Sequence, residues 1–264
     1  MIGAAVGFDL AAALPTLREH GGYRDLVEAV RRALNAGSAH EDLRAARDAL
    51  VLLRRLTKET DFGADFSEGE HDIMVGTLFS QAILLYARAT ETPPIKGERD
   101  SWFGRSKLTP ALRQVHAQAM DLRNLAVAHF GKAAGLPDGA LVREALVIQP
   151  VAGGTHFAFF AARVQNRAHF AADLLTLTET VQDLAFAAVQ ARYGEIGTVL
   201  RTAAEERDPV LIEILRRFLF DGAKFFPGVD WQEQIEAMAE DPRPVLYAST
   251  LKKDRMPESG SDPS

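Results

Sequence analysis

The sequence predicts a mainly α protein, a bundle of long helices interrupted once by a β-hairpin. Three observations predict it. Apolar residues recur at helical spacing through most of the chain, as in Leu112, Val115, Ala119, Leu122 and Ala126. Helix-start signals precede these runs, among them Thr109-Pro110, Asp208-Pro209 and two S-x-x-E boxes. Only one pair of short runs, Leu141 to Gln149 and Thr155 to Val164, reads as strands.

The elements follow in chain order. Asp9 to Ala36 has a helical pattern interrupted by Pro15 and Gly21-Gly22, with Gly37 expected to close it. Ser38-Ala39-His40-Glu41 has the form of a capping box and is expected to open a second helix through Leu43, Leu50, Leu53 and Leu56. Ser67-Glu68-Gly69-Glu70 is another such box, starting an apolar helix through Met74, Leu78, Ile83, Leu84 and Tyr86 that ends near Pro93-Pro94. Glu68, Glu70, His71 and Asp72 therefore read as cap and first-turn residues, favoured by the helix dipole, before they read as a metal cluster.

A polar loop from Ile95 to Leu108 carries Trp102 and Phe103, aromatics expected to pin it to the core rather than to stack on bases. Thr109 as N-cap and Pro110 at the first helical position then start a helix that continues to Phe130, with Gly131 as its stop. The two strands follow, joined across Pro150-Val151-Ala152-Gly153-Gly154. A long helix resumes near His169 and runs through Leu174, Leu177, Val181, Leu184 and Ala188, with Gly194 and Gly197 expected to bend or end it. Shorter helices are expected from Asp208-Pro209 to Phe220 and over Asp230 to Glu240, before a polar, disordered tail. The expected division is an N-terminal helical extension (1–62), a core with the hairpin at about 141–164 (63–200), a C-terminal helical extension (201–250) and the tail (251–264).

Composition narrows the chemistry. The 264 residues suffice to bury a sizeable core, and the absence of cysteine excludes disulfides, thiolate nucleophiles and Cys-containing zinc sites. His20, His40, His71 and His156 lack metal-ligand spacing, so no metal or cofactor is expected. His116 reads as a surface or partner-facing residue. The N-terminus lacks a basic start, and the apolar stretch from Ile73 to Ala87 falls short of a membrane span; a cytoplasmic protein with no membrane partner is expected. A net charge of −6 argues against broad, non-specific nucleic-acid binding. The charge is uneven, however. From Lys96 to Lys132 seven basic residues face three acidic ones, a net of +4 against −10 elsewhere.

Within that basic window lies Arg123-Asn124-Leu125-Ala126-Val127-Ala128-His129. An arginine, a polar residue directly after it and a histidine a few residues on resemble the R-polar-x(3–5)-H signature of the HEPN superfamily. Its core is a small up-and-down helical bundle, with the motif toward the end of one long helix and another long helix after it. The helices near 67–91, 110–130 and 169–193 could supply that core; the hairpin and the terminal helices depart from the minimal pattern. Many members are metal-independent ribonucleases, and many act as toxins or defence proteins.

The resemblance implies roles for particular residues. His129 becomes the general acid or base, since imidazole titrates near neutrality. Arg123 holds the scissile phosphate with a planar, always-charged guanidinium, and Asn124 orients the histidine or the phosphate. Lys107, Arg113 and Lys132 are the candidate substrate-binding cations. The implied reaction is attack of the RNA 2′-hydroxyl on the adjacent phosphate, leaving a 2′,3′-cyclic end, which DNA cannot undergo.

Six residues on a regular helix amount to about 9 Å of rise and about 600° of turn, so Arg123 and His129 point roughly 120° apart. One site then needs a distorted helix end or a second chain, and a homodimer follows from the family's usual pairing. Arg163 and His169 repeat the spacing, but that pair straddles a strand end and a helix start and lacks the polar residue after the arginine. The residues also admit two other functions. One is a non-catalytic helical module that binds a nucleotide or a protein. The other is an antitoxin-like or regulatory scaffold; an antitoxin or regulatory protein is the corresponding partner.

Overall fold

A computed structural model describes residues 7–58, 67–91, 103–124, 142–151, 154–163 and 168–225. Among these the chain is mainly helical, with one two-stranded sheet. Helix α1 (Leu10–Glu19) starts at Asp9, whose carboxylate accepts from the Ala12 amide at 2.9 Å, and it runs through Pro15. Gly21, with φ at +67°, turns the chain into α2; this left-handed backbone is one a side chain would strain.

Helix α2 (Arg24–Lys58) is a single helix of 35 residues. The break expected at Gly37-Ser38 is absent, because one apolar stripe keeps helical phase across it. Leu26, Val30, Ala33, Ala36, His40, Leu43, Ala46, Leu50 and Leu53 are all buried. A helix-interior glycine costs about 1 kcal/mol against alanine, whereas burying one leucine or valine gains roughly 1.5–3 kcal/mol. Stopping at Gly37 would throw the next turns out of register with the core.

Helix α3 (Glu68–Glu91) starts at a formed capping box, with Ser67 donating from both its amide and its hydroxyl to Glu70 Oε2 at 2.8 and 2.7 Å. By length and composition α3 can cross a membrane, which the shorter run read from the sequence could not. Its Val75, Phe79, Ala82, Ile83 and Tyr86 line the helical core. A short 3-10 turn (Arg105–Lys107) leads into α4 (Pro110–Leu122), where Thr109 Oγ1 accepts from the Leu112 amide at 3.3 Å and Pro110 occupies the first turn.

Strands β1 (Val142–Val151) and β2 (Gly154–Arg163) pair antiparallel, Val142 opposite Arg163 and Val151 opposite Gly154, within a residue or two of the expected ends. Helix α5 (Ala168–Glu205) then runs 38 residues without ending at Gly194 or Gly197. Val181, Ala185, Val189, Ile196, Val199 and Ala203 extend its packed stripe past both glycines, the same reason that α2 survives Gly37. Helix α6 (Pro209–Arg217) is capped by Asp208 Oδ1, which accepts from the amides of Val210 and Leu211, and stops three residues before the expected Phe220. A one-turn helix α7 (Gly222–Phe225) follows.

α2 and α5 form the frame. They lie antiparallel, with Arg32 opposite Glu195 (3.3 Å), the His40 ring against Phe186 (5.8 Å between centroids) and Arg47 opposite Glu179 (3.8 Å). The main core packs residues 39–56 of α2 with α3, α4 and the first half of α5, so α2 crosses into the bundle that the expected division at 62/63 assigns to the next unit. A second core joins α1, the start of α2, the end of α5 and α6. The expected helix over Asp230 to Glu240, the Gly131 stop and the tail lie outside the described residues.

Candidate active site

Three helices bring the candidate site together. The last two turns of α3 carry Leu84, Leu85 and Arg88, α2 carries Asp42, and Arg123 follows α4 directly. Leu84, Leu85, Arg88 and Arg123 line one open cleft of about 400 Å³.

Arg123 is the residue at which α4 gives way to a wider π-type turn that includes Asn124. Such turns insert an extra residue in the helical ladder and are frequent at functional sites. Arg123 is exposed, and its Nη1 donates to Asn124 Oδ1 at 2.9 Å. Among the described residues it pairs with no carboxylate. The polar residue after the arginine therefore orients the guanidinium, and no described carboxylate balances its charge.

Arg88 is held differently. Its Nε donates to Asp42 Oδ2 at 2.6 Å and its Nη2 to Oδ1, a side-on, two-point pairing. The Asp42 side chain is 12 % exposed and that of Arg88 55 %. The carboxylate is thus the buried partner, and the pairing holds the charged form of Arg88 even more firmly than usual, chiefly through the hydrogen bond.

On the same turns of α3 and upstream on α4 a second polar group forms. The Tyr86 hydroxyl lies 2.9 Å from His116 Nδ1, and His116 Nε2 lies 3.1 Å from Glu91 Oε1. Arg105 also donates to that oxygen, from Nη2 at 2.8 Å and Nε at 3.1 Å. His116 is 1 % exposed and Phe103 packs on its ring at 5.7 Å, so the expectation of a surface histidine is corrected. The sequence held the signal: His116 follows Leu112 by four residues and precedes Ala119 by three, which places it on the buried stripe. Phe103 anchors its loop as expected.

Burial holds His116 below the ordinary imidazole range, an effect that the hydrogen bond and charge of Glu91 partly offset. Burial likewise pushes the Tyr86 phenol up, with the Glu91 charge adding to it. The partners assign the tautomer. Nε2–H donates to the carboxylate, and Nδ1 accepts from the tyrosine hydroxyl. Both ring nitrogens are occupied, which makes His116 part of the frame rather than a free acid or base.

The other candidate cations are dispersed. Lys107 is exposed in the 3-10 turn and Arg113 is exposed on the first turn of α4. Arg113 precedes Arg123 by ten residues, roughly 15 Å of helix, and neither it nor Lys107 lines the Arg88–Arg123 cleft. His129 and Lys132 lie outside the described residues. Arg88 and Asp42 were not found from the sequence, since 46 residues separate them and no local pattern announces the pair. No protein-family model, curated protein or solved structure matches the chain.

Proposed function

We propose that the chain is a HEPN-like, metal-independent endoribonuclease acting as a toxin or defence effector in the cytoplasm. Arg123 holds the scissile phosphate, Asn124 aims the guanidinium, and His129 exchanges the proton with the 2′-hydroxyl or the leaving oxygen. The observation that carries the reading is Arg123 itself. It stands on the wide turn ending α4, oriented by Asn124, lining an open cleft, with its charge unspent among the described residues. A purely structural arginine would more often meet a carboxylate, as Arg88 does.

A site that unites Arg123 with His129 needs the helix to depart from regular geometry or a second chain to contribute, and the turn at Arg123 is such a departure. The composite dimer site remains part of the proposal, as does an antitoxin or regulatory partner. The test is purified protein on mixed RNA in chelator, wild type against Arg123→Ala. Cleavage that needs the arginine and leaves 2′,3′-cyclic ends supports the reading; loss of all cleavage in chelator, or its persistence in the variant, overturns it.

A second reading, a non-catalytic helical binding module, draws on the hairpin. Leu146, Val147, Ile148 and Phe157 are exposed there, an apolar surface suited to a protein partner. On that reading wild-type protein leaves RNA intact while retaining a partner through the hairpin.

A further inference from the structure

The cleft between α3 and the end of α4 holds two guanidiniums of different standing, and the difference points to a ligand. Arg88 spends two of its five N–H donors on Asp42, and among the described residues no other bond takes the rest. Asp42 balances its charge and locks its plane against α2. Arg123, across the same cleft, contributes one positive charge that no described carboxylate balances. Counting the described residues, the pair presents two planar donor forks and a net of one positive charge. That matches a phosphodiester, which carries a single negative charge, better than a phosphate monoester carrying nearly two.

The other described lining residues are apolar. Leu84, 44 % exposed, and Leu85 flank the arginines. A cleft of about 400 Å³ lies within the range of sites that take small organic ligands, roughly 300–1,000 Å³. Among the described residues its lining is two leucines and two guanidiniums, which offer a surface to a base or ribose and donors to the phosphate beside it.

We infer that this cleft is a nucleotide subsite for single-stranded RNA, in which Arg88, pre-set by Asp42, binds a backbone phosphodiester alongside Arg123 and the leucines receive the attached nucleoside. Arg88 is a substrate-binding residue in this assignment. The choice of RNA rests on the ribonuclease reading; the phosphodiester chemistry does not.

The test is fluorescence anisotropy with a labelled 12-nucleotide 2′-O-methyl RNA, which has no free 2′-hydroxyl and cannot be cut by that route. Full-length wild type is compared with Arg88→Lys, Leu84→Glu and Arg123→Ala. Arg88→Lys keeps a cation for Asp42 but loses the fork; Leu84→Glu sets a carboxylate in the cleft, one turn before Arg88, where it competes with the phosphate. Each is expected to weaken binding roughly 10-fold, the scale of losing a hydrogen bond to a charged group, with an unchanged melting midpoint for Leu84→Glu. Wild-type affinity in both cleft variants, or no binding by wild type, overturns the subsite. If RNA is not cleaved by wild type but the cleft variants still lose binding, the subsite stands and the ribonuclease reading falls. If cleavage needs Arg123 while both cleft variants bind and cut like wild type, the subsite falls and the ribonuclease reading stands.

Discussion

The Tyr86 hydroxyl and His116 Nδ1 lie 2.9 Å apart in the middle of the helical core, neither side chain reaching solvent to any extent. Because the hydroxyl donates to Nδ1 and Nε2–H donates to Glu91, the neutral imidazole satisfies every partner. A proton on Nδ1 would turn the tyrosine donor away and bury a charge. Burial is what holds His116 below the ordinary imidazole range, and the Glu91 hydrogen bond and charge partly offset it.

This relationship sets a pH dependence. His116 binds its proton more weakly folded than unfolded, so below the unfolded value of about 6.5 the unfolded chain holds more protons. Stability then rises with pH across the window from the depressed folded value up to about 6.5, and is fully present above it. The carboxylates held low, Glu41, Glu70, Asp208 and Asp221, keep their full contribution across this window and lose it only at more acidic pH. Urea melts at pH 7.5 and 5.5 are expected to show wild type losing stability, with His116→Gln losing less between the two. Equal slopes in both proteins would count against the assignment.

Tyr86→Phe is expected to cost about 1–3 kcal/mol, the penalty for leaving a buried acceptor unsatisfied. The phenyl ring keeps the packing, so the loss isolates the hydroxyl. Thermal or urea unfolding at neutral pH checks it, and a change under about 0.5 kcal/mol would sink the hydrogen bond as a stabilising element.

The Arg88–Asp42 pair should answer asymmetrically to truncation. Removing Arg88 strands a carboxylate that is mostly buried, whereas removing Asp42 leaves a guanidinium that is already half in water. Fully buried pairs cost about 3–5 kcal/mol when one partner is lost. With Arg88 half exposed, about 1–3 kcal/mol is expected for Arg88→Ala and less for Asp42→Ala. Paired unfolding curves decide the order, and the reverse order would mean that Asp42 is better solvated than its burial indicates.

At the proposed ribonuclease site, Arg123→Lys separates charge from shape. A lysine keeps the cation but loses the planar fork and the Asn124 contact. Cleavage is expected to fall by about 10² or more, the scale of removing one transition-state donor, while Asn124→Ala falls less. Because Arg123 is exposed, melting should shift by no more than about 0.5 kcal/mol in either variant. Initial rates on RNA in chelator, read beside the melts, make the check.

Much of the framework was legible because it is written locally. Thr109-Pro110, Asp208-Pro209 and the Ser67–Glu70 box each form the cap their side chains predict, and the hairpin pairs almost where its runs predict. The misreadings share one physical origin. Gly37, Ser38, Gly194 and Gly197 signal breaks in local terms, yet α2 and α5 are stabilised along their whole length by each other, and burial outweighs a glycine. The Arg88–Asp42 pair and the Tyr86–His116–Glu91–Arg105 group were illegible for the complementary reason: they join residues from separate elements. At the candidate site, Arg123 and Asn124 were singled out from their pattern, whereas the cleft beside them depends on how α3 meets α4.

Gly37 offers the cleanest test of that argument. It sits in mid-helix with helical backbone, and a Cβ added there meets nothing within 4 Å. Gly197 in α5 stands in the same position. If the two helices are continuous because tertiary packing overrides a local breaker, replacing the breaker removes only its cost. Gly37→Ala and Gly197→Ala are each expected to stabilise the fold by about 0.5–1 kcal/mol, mainly by narrowing the unfolded chain's freedom. Together they should act additively, since the sites belong to different helices with no shared contact. Destabilisation by Gly37→Ala would mean that the chain turns at Gly37 after all, and that α2 is two helices meeting at a real break.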